Sequence, residues 1–233
     1  MKIEQSYIDK MSKMRRIQIQ ALAVLRRAKE AGIPEDFLRI KKDAFRSLLD
    51  EPYYKAKNQT ADKVAHAIYD CPEKVLTKRF ILIDGGDSAG FGRKKAGFGI
   101  LFRMIACNKT GKYVQGKTMA NILNSGYVSD GLTRSEYVDS LKDVDVLYIG
   151  ELRPRDFHEK GLASTFIDEL MEYRHANKLL TVISFSEYIN GVSANLITNS
   201  VCGVFINQFL NSDMKELQEK MKDDFRAIRI RVK

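Results

Sequence analysis

The sequence predicts an α/β protein: a helical N-terminal portion, to about residue 72, followed by a parallel sheet covered by helices on both faces. Three observations point there. Before residue 72 the apolar residues recur every three or four positions, the period of a helix with one buried face. At residue 80 the pattern changes to short, continuous apolar runs: Phe80-Ile81-Leu82-Ile83, then residues 144–149 and 179–184. A strand that is apolar on both sides is one buried on both faces, as in a parallel sheet. Helical patterns separate these runs, at about 96–107, 117–124, 133–141 and 161–176. Strands that alternate with helices make the crossover units of such a sheet.

The first helix carries its apolar stripe on Tyr7, Met11, Met14, Ala21, Leu25 and Ala28. Gly32 and Pro34 supply its stop signal. A second helical segment carries Phe37, Ala44, Phe45, Leu48 and Leu49 and ends before Pro52. A third, capped by Thr60, carries Val64, Ala67 and Ile68 and stops before Pro72. Residues 1–72 are thus expected to form a basic helical region, with 14 Lys or Arg against 8 Asp or Glu in the first 60 positions, and residues 73–233 an α/β core. At the C-terminal end, Ile228, Ile230 and Val232 alternate with Arg229, Arg231 and Lys233, which predicts a half-exposed strand.

Composition narrows the class. At 233 residues, 44% apolar and 30% charged, the chain can bury a real core. No stretch reaches the roughly 18 uncharged apolar residues of a membrane helix. The first 20 residues are charged throughout and do not read as a signal peptide. Cys71, Cys107 and Cys202 are odd in number and far apart, which argues for a reducing, cytoplasmic setting. They and the scattered His66, His158 and His175 spell no metal site. The net charge of +9 favours a polyanionic partner such as nucleic acid.

The chemistry concentrates after the first strand, in Asp84-Gly-Gly-Asp-Ser-Ala-Gly-Phe-Gly-Arg-Lys-Lys95, with a helical run from near Ala96. Strand, glycine-rich turn and helix make a phosphate cradle: glycines let backbone N–H groups approach the anion, and the helix dipole adds to them. The match to G-x-x-x-x-G-K-[ST] is imperfect. Either Arg93 or Lys94 falls at the lysine position, and in neither register does a hydroxyl follow to hold Mg²⁺. The expected phosphate-binding residues are Gly86, Gly90, Phe91, Gly92, Arg93, Lys94 and Lys95. A second stretch, Gly111 to Thr118, matches the same pattern letter for letter, but Tyr113-Val114-Gln115 reads as a strand. In the strand Val144-Asp-Val-Leu-Tyr-Ile-Gly-Glu151, the terminal Asp expected of a metal-holding strand is Gly150. Glu151 remains as the residue that could orient a water. Ser184 or Ser186 could sense a terminal phosphate.

In their order and spacing, four stretches resemble the DnaC/DnaI-type replicative helicase loaders and the related IstB-type transposition ATPases, which are AAA+ P-loop proteins. Ala31-Gly-Ile-Pro-Glu-Asp-Phe37 resembles their "AGIP…F" segment. Phe80 to Lys95 resembles their first strand and Walker A loop. Thr110-Gly-Lys-Tyr-Val114 resembles their second strand. Asp143 to Glu151 resembles their "VDLLVIDE" Walker B strand. The resemblance spans about residues 31–186 and extends to the final strand.

The resemblance implies a P-loop NTPase core of AAA+ type, with ATP and Mg²⁺ as cofactors. It implies that residues 1–72 engage a replicative DNA helicase and that the core contacts single-stranded DNA, with Arg103, Lys112, Tyr113 and Lys117 as candidates. It also implies a homo-oligomer or a helicase-bound assembly. The motifs depart from the family at the Walker A lysine and hydroxyl, at Gly150, and at residues 195–211, where no arginine finger stands. The departures predict weak or absent hydrolysis. Two other readings stand beside this one: a catalytically inactive AAA+-like interaction protein of a phage or mobile element, and a P-loop small-molecule phosphotransferase.

Overall fold

The computed structural model describes residues 2–56, 58–85, 90–125, 132–153, 162–185 and 227–233. Helix α1 (Lys2–Glu30) runs into a 3₁₀ turn (Glu35–Phe37), then α2 (Lys42–Arg46), α3 (Glu51–Lys55), α4 (Ala61–Tyr69) and α5 (Pro72–Leu76). Strand β1 (Phe80–Gly85) leads to α6 (Gly90–Ala106), β2 (Gly111–Gln115), α7 (Gly116–Ser125), α8 (Arg134–Lys142), β3 (Val146–Leu152), α9 (Leu162–Ala176), β4 (Leu180–Phe185) and β5 (Ala227–Val232). The five strands form one sheet in the order β2-β3-β4-β1-β5, and every pairing is parallel.

The two-sided apolar runs explain the layers. Ile81, Ile83, Val146, Tyr148, Val182 and Ile230 face α6 and the N-terminal helices. Phe80, Leu82, Leu147, Ile149, Ile183 and Phe185 face the other way, toward α7, α8 and α9. The expected α/β architecture, a parallel sheet with helices on both faces, is therefore present. From Ala28 onward the N-terminal helices pack into the same core as α6, through Ile33, Phe37, Phe45, Leu49, Tyr54, Ala65 and Ile68.

Local signals act where chemistry requires them. Gly32 closes α1 with φ +85, its N–H reaching Lys29 O at 2.9 Å and that of Ile33 reaching Ala28 O at 3.0 Å. This left-handed closure is open to glycine at little cost. The Thr60 hydroxyl caps α4 by accepting from Lys63 N–H, and Thr133 and Glu136 form a reciprocal capping box on α8.

Three expectations fail. The apolar stripe of α1 is not a buried face along its length: Met11, Met14 and Ala21 are exposed, and among the described residues of the stripe only Ala28 is buried. The second N-terminal segment is not one helix: Pro52 opens α3 instead of ending a helix, because proline needs no N–H partner in a first turn. Before it, Leu49 pairs antiparallel with Val232. Asp50 N–H donates to Arg231 O and Lys233 N–H to Leu48 O, both at 3.0 Å. The half-exposed C-terminal strand is also corrected. Arg231 is buried, with its guanidinium 4.3 Å from the centre of the Tyr53 ring. The N-terminal region thus covers the β5 edge, and Ala31 O takes Tyr113 N–H at 2.7 Å on the β2 edge. An uncovered edge strand is a template for unwanted pairing.

Among the described residues, the largest fully buried side chain is Arg174, on α9. Its Nη1 donates to the carbonyls of Leu141, Lys142 and Val144, its Nη2 to Leu180 O, and its Nε to Thr181 Oγ1. The carbonyls that α8 leaves unpaired at its C-terminus are thereby satisfied. Burial lowers its pKa to about 10, still far above neutrality, so the charge remains.

Candidate nucleotide-phosphate site

Ligands of open α/β sheets bind beyond the carboxyl ends of the strands. Here that end is built from the last residues of β1, β3 and β4 and the first turns of α6. Gly85 ends β1, and α6 starts at Gly90. The four residues between them, Gly86 included, lie outside the described residues. Gly85 and Gly90 thus stand at the two glycine positions of G-x-x-x-x-G, one at the strand end and one at the helix start. In that frame Phe91 takes the lysine position and Gly92 the hydroxyl position.

The sequence reading placed Arg93 or Lys94 at the lysine and began the helix near Ala96, and the helix start is corrected. Gly90, Phe91, Gly92, Arg93, Lys94 and Lys95 are helix, not loop. Glycines and cations are poor helix openers, so pattern alone starts the helix late.

The three basic residues do different things. Arg93 is buried, and its Nη1 donates to Gly85 O at 3.1 Å, tying the helix to the strand end. Lys94 is half-exposed and its Nζ lies 3.1 Å from Glu151 Oε2. Lys95 is half-buried. Phe91 is exposed, with its ring 5.5 Å from that of Phe37.

Glu151 sits at a register shift between β3 and β4, with φ +55. Its N–H donates to Ser184 Oγ at 3.0 Å, and the same Oγ lies 3.0 Å from the Tyr148 hydroxyl. Ser184 is fully buried and committed to these partners, so it is not a phosphate sensor. Ser186 lies outside the described residues.

The ring of Tyr113 explains Gly150. A Cβ on Gly150 would lie 2.7 Å from Tyr113 Cε2 and 3.1 Å from its hydroxyl. The space a metal-holding aspartate needs is filled by an aromatic side chain. Tyr113 in turn belongs to a contiguous aromatic packing. Its ring centre is 4.7 Å from Phe98 and 5.2 Å from Tyr148, and Phe98 is 4.8 Å from Phe37. Burial, and then the neighbouring Glu151 charge, push the Tyr113 phenol upward, so it stays neutral. Tyr148 approaches α6 so closely that a Cβ on Gly97 would lie 2.1 Å from its Cζ.

An Mg²⁺ shell does not fit these residues. The hydroxyl position is Gly92, the carboxylate position is Gly150, and a ring stands beside it. Among the described residues, no three His, Cys, Asp or Glu side chains cluster as metal ligands. An anion is better served: Lys94 and Lys95 stand in the opening turns of α6, where the helix dipole is positive.

The alternative loop is excluded by its geometry, since Gly111–Gln115 is strand β2 and α7 begins directly at Gly116. The four single-strand candidates are not brought together. Tyr113 is packed among rings and offers no open platform. Lys112 Nζ bonds to Ser140 Oγ at 3.1 Å, and Lys117 is exposed in the first turn of α7. Arg103 lies near the far end of α6. The residues that pattern reading missed are Tyr113 as a space-filler, Gly97 and Tyr148. Two glycines within an apolar helical run were the available signal for close approach.

No protein-family model and no curated protein sequence matches the chain. Among solved structures, one described as the crystal structure of the DnaI is similar with a TM-score of 0.49 at 15% identity, over 83% of this chain and 95% of that one. The fold class rests on the strand order and pairing themselves.

Proposed function

We propose that the chain is a DNA-replication protein of the helicase-loader type with an AAA+-like core that holds ATP without turning it over. Residues 1–72 form the partner-binding region and residues 73–233 the core. The observation that carries this reading is the pairing of a phosphate-loop frame, Gly85 to Gly90 opening α6, with a closed metal position, Tyr113 against Gly150. Lys94 and Lys95 hold the phosphates together with the backbone N–H groups of Gly90, Phe91 and Gly92 at the start of α6. Glu151, released from Lys94, faces the terminal phosphate. Without a metal anchor, orienting a water is a minor contribution to hydrolysis.

Helix α1 supports the partner role. Met14, Ile17 and Leu22 are exposed along it, and Arg15, Arg16 and Arg26 interleave with them. Exposed apolar surface rimmed by charge marks interaction sites. On this reading the partner is a replicative DNA helicase, single-stranded DNA contacts the basic surface, and the setting is cytoplasmic. No helix among the described residues is long and apolar enough to cross a membrane.

The closed metal position also favours a second reading, an interaction protein of a phage or mobile element that binds no nucleotide. Co-purification with a replicative helicase, with and without ATP, tests the proposal. Capture that is lost on Ile17→Asp with Leu22→Asp supports it. Wild-type protein that binds no replicative helicase under either condition defeats it.

A further inference from the structure

Helix α6 has a second charged end. Phe102 and Arg103, one turn from its C-terminus, meet Arg39 and Lys41 from the segment before α2, Lys42 at the start of α2, and Tyr69 and Asp70 from the end of α4, around a groove of about 400 Å³. That volume is within the ~300–1,000 Å³ of small-ligand sites. Phe102 lies 12 positions along the helix from Gly90, roughly 18 Å away at 1.5 Å per residue, so the groove is separate from the candidate phosphate loop.

Its charge is unbalanced. Asp70, the one acid in the lining, is already paired with Lys42 and bonded by His66 Nδ1 at 2.7 Å. Arg39, Lys41 and Arg103 form no ion pair among the described residues. Arg103 Nε donates to Tyr69 O at 2.9 Å, which fixes the guanidinium beside the groove. Arg39 is held at φ +65, a conformation L side chains rarely adopt. Tyr69 is steadied by its hydroxyl, which donates to Ile40 O at 2.9 Å. The apolar wall is supplied by Phe102, Ala106 and the Tyr69 ring.

Three cations without an acidic partner favour an anion here, and the apolar wall beside them suits a planar base. Arg and Lys on phosphate, with an aromatic platform for the base, is how single nucleotides and single strands are held. We propose that this groove is a second nucleotide site, taking one nucleoside phosphate either free or as a unit of a single strand, with its phosphate on Arg39, Lys41 and Arg103 and its base against Phe102.

The test is a salt titration of binding, read by fluorescence anisotropy with a labelled oligothymidylate and, in parallel, with AMP as competitor. The variant is Arg39→Gln with Lys41→Gln, both exposed side chains. Lys55→Gln with Lys178→Gln removes the same charge elsewhere. The groove variant should lose affinity, and the slope of log K against log salt should fall by about 0.7, one single-strand phosphate's worth. The control should match the wild type. Phe102→Leu should weaken the oligothymidylate more than an abasic chain. Competition by AMP assigns the site to free nucleotide, and its absence to strand. A groove variant equal to the wild type, or a wild type that binds neither probe, overturns the inference. The first of those results leaves the proposed function standing, with its single-strand contact elsewhere.

Discussion

Gly97→Ala tests whether the aromatic packing behind the site is as tight as described. The added Cβ would lie 2.1 Å from Tyr148 Cζ, 2.4 Å from its hydroxyl and 2.5 Å from Cε2. Ordinary contact begins near 3.4 Å, so the ring must withdraw by more than an ångström. It has nowhere cheap to go: Tyr148 is fully buried, edge-on to Phe98 at 5.2 Å, and hydrogen-bonded to Ser184. Overpacking costs about 1–3 kcal/mol, and loss of the buried hydroxyl's partner about 1–3 kcal/mol more. Alanine returns about 1 kcal/mol in helix propensity. The net loss expected is about 1–5 kcal/mol.

Urea unfolding measures this loss, and a double-mutant cycle with Tyr148→Leu isolates the clash. In the leucine background Gly97→Ala should be neutral or stabilising. If Gly97→Ala costs the same in both backgrounds, or nothing in the wild type, the close approach described here is wrong.

Other outcomes follow from single side chains. Arg174→Met leaves five acceptors on α8, β4 and their connections unserved, and should cost about 3–5 kcal/mol in urea unfolding. Arg174→Lys should rescue little, because one ammonium cannot span them. Burial alone would raise the Asp145 pKa, but bonds from the Thr110 N–H and hydroxyl and the charge of Lys109 outweigh it and hold it below the usual range. A depressed carboxylate stabilises above its unfolded pKa of about 3.9 and loses that contribution as pH falls through the folded value. The stability gap between wild type and Asp145→Asn should therefore be full at neutral pH and shrink below about pH 4. Lys94→Gln with Lys95→Gln should remove the thermal shift caused by ATP without lowering the melting temperature of the ligand-free protein. If the shift survives, phosphate is held elsewhere.

The strands were legible because burial on both faces leaves no polar alternation to misread: β1, β3 and β4 stand within three residues of their expected bounds. Gly32, Thr60 and Pro72 were legible because each acts locally, the glycine and proline through their own backbones and Thr60 through a hydroxyl that accepts from Lys63 N–H three residues on. The start of α6 was not, since Gly90 and Gly92 are poor helix formers and cations are disfavoured near a helix N-terminus, preferences that tertiary contacts override, with Arg93 bonded to Gly85 O. Pro52 was misread because proline ends one helix and opens the next with the same ring. Arg174 gave no signal at all: its role exists only once the end of α8 and the start of β4 are neighbours. Gly150 was visible as a missing carboxylate, but its cause lies across the sheet in Tyr113, 37 positions earlier in the chain.

The central claim, nucleotide held without turnover, is tested most directly by ATP hydrolysis measured with excess Mg²⁺, single-stranded DNA and the helicase, beside a thermal-shift titration with ATP. The account predicts a rise in melting temperature with ATP that does not depend on Mg²⁺, and no phosphate release above the uncatalysed background. Robust release that is lost on Glu151→Gln would contradict it, and would mean that a metal finds its place despite Tyr113 and Gly150.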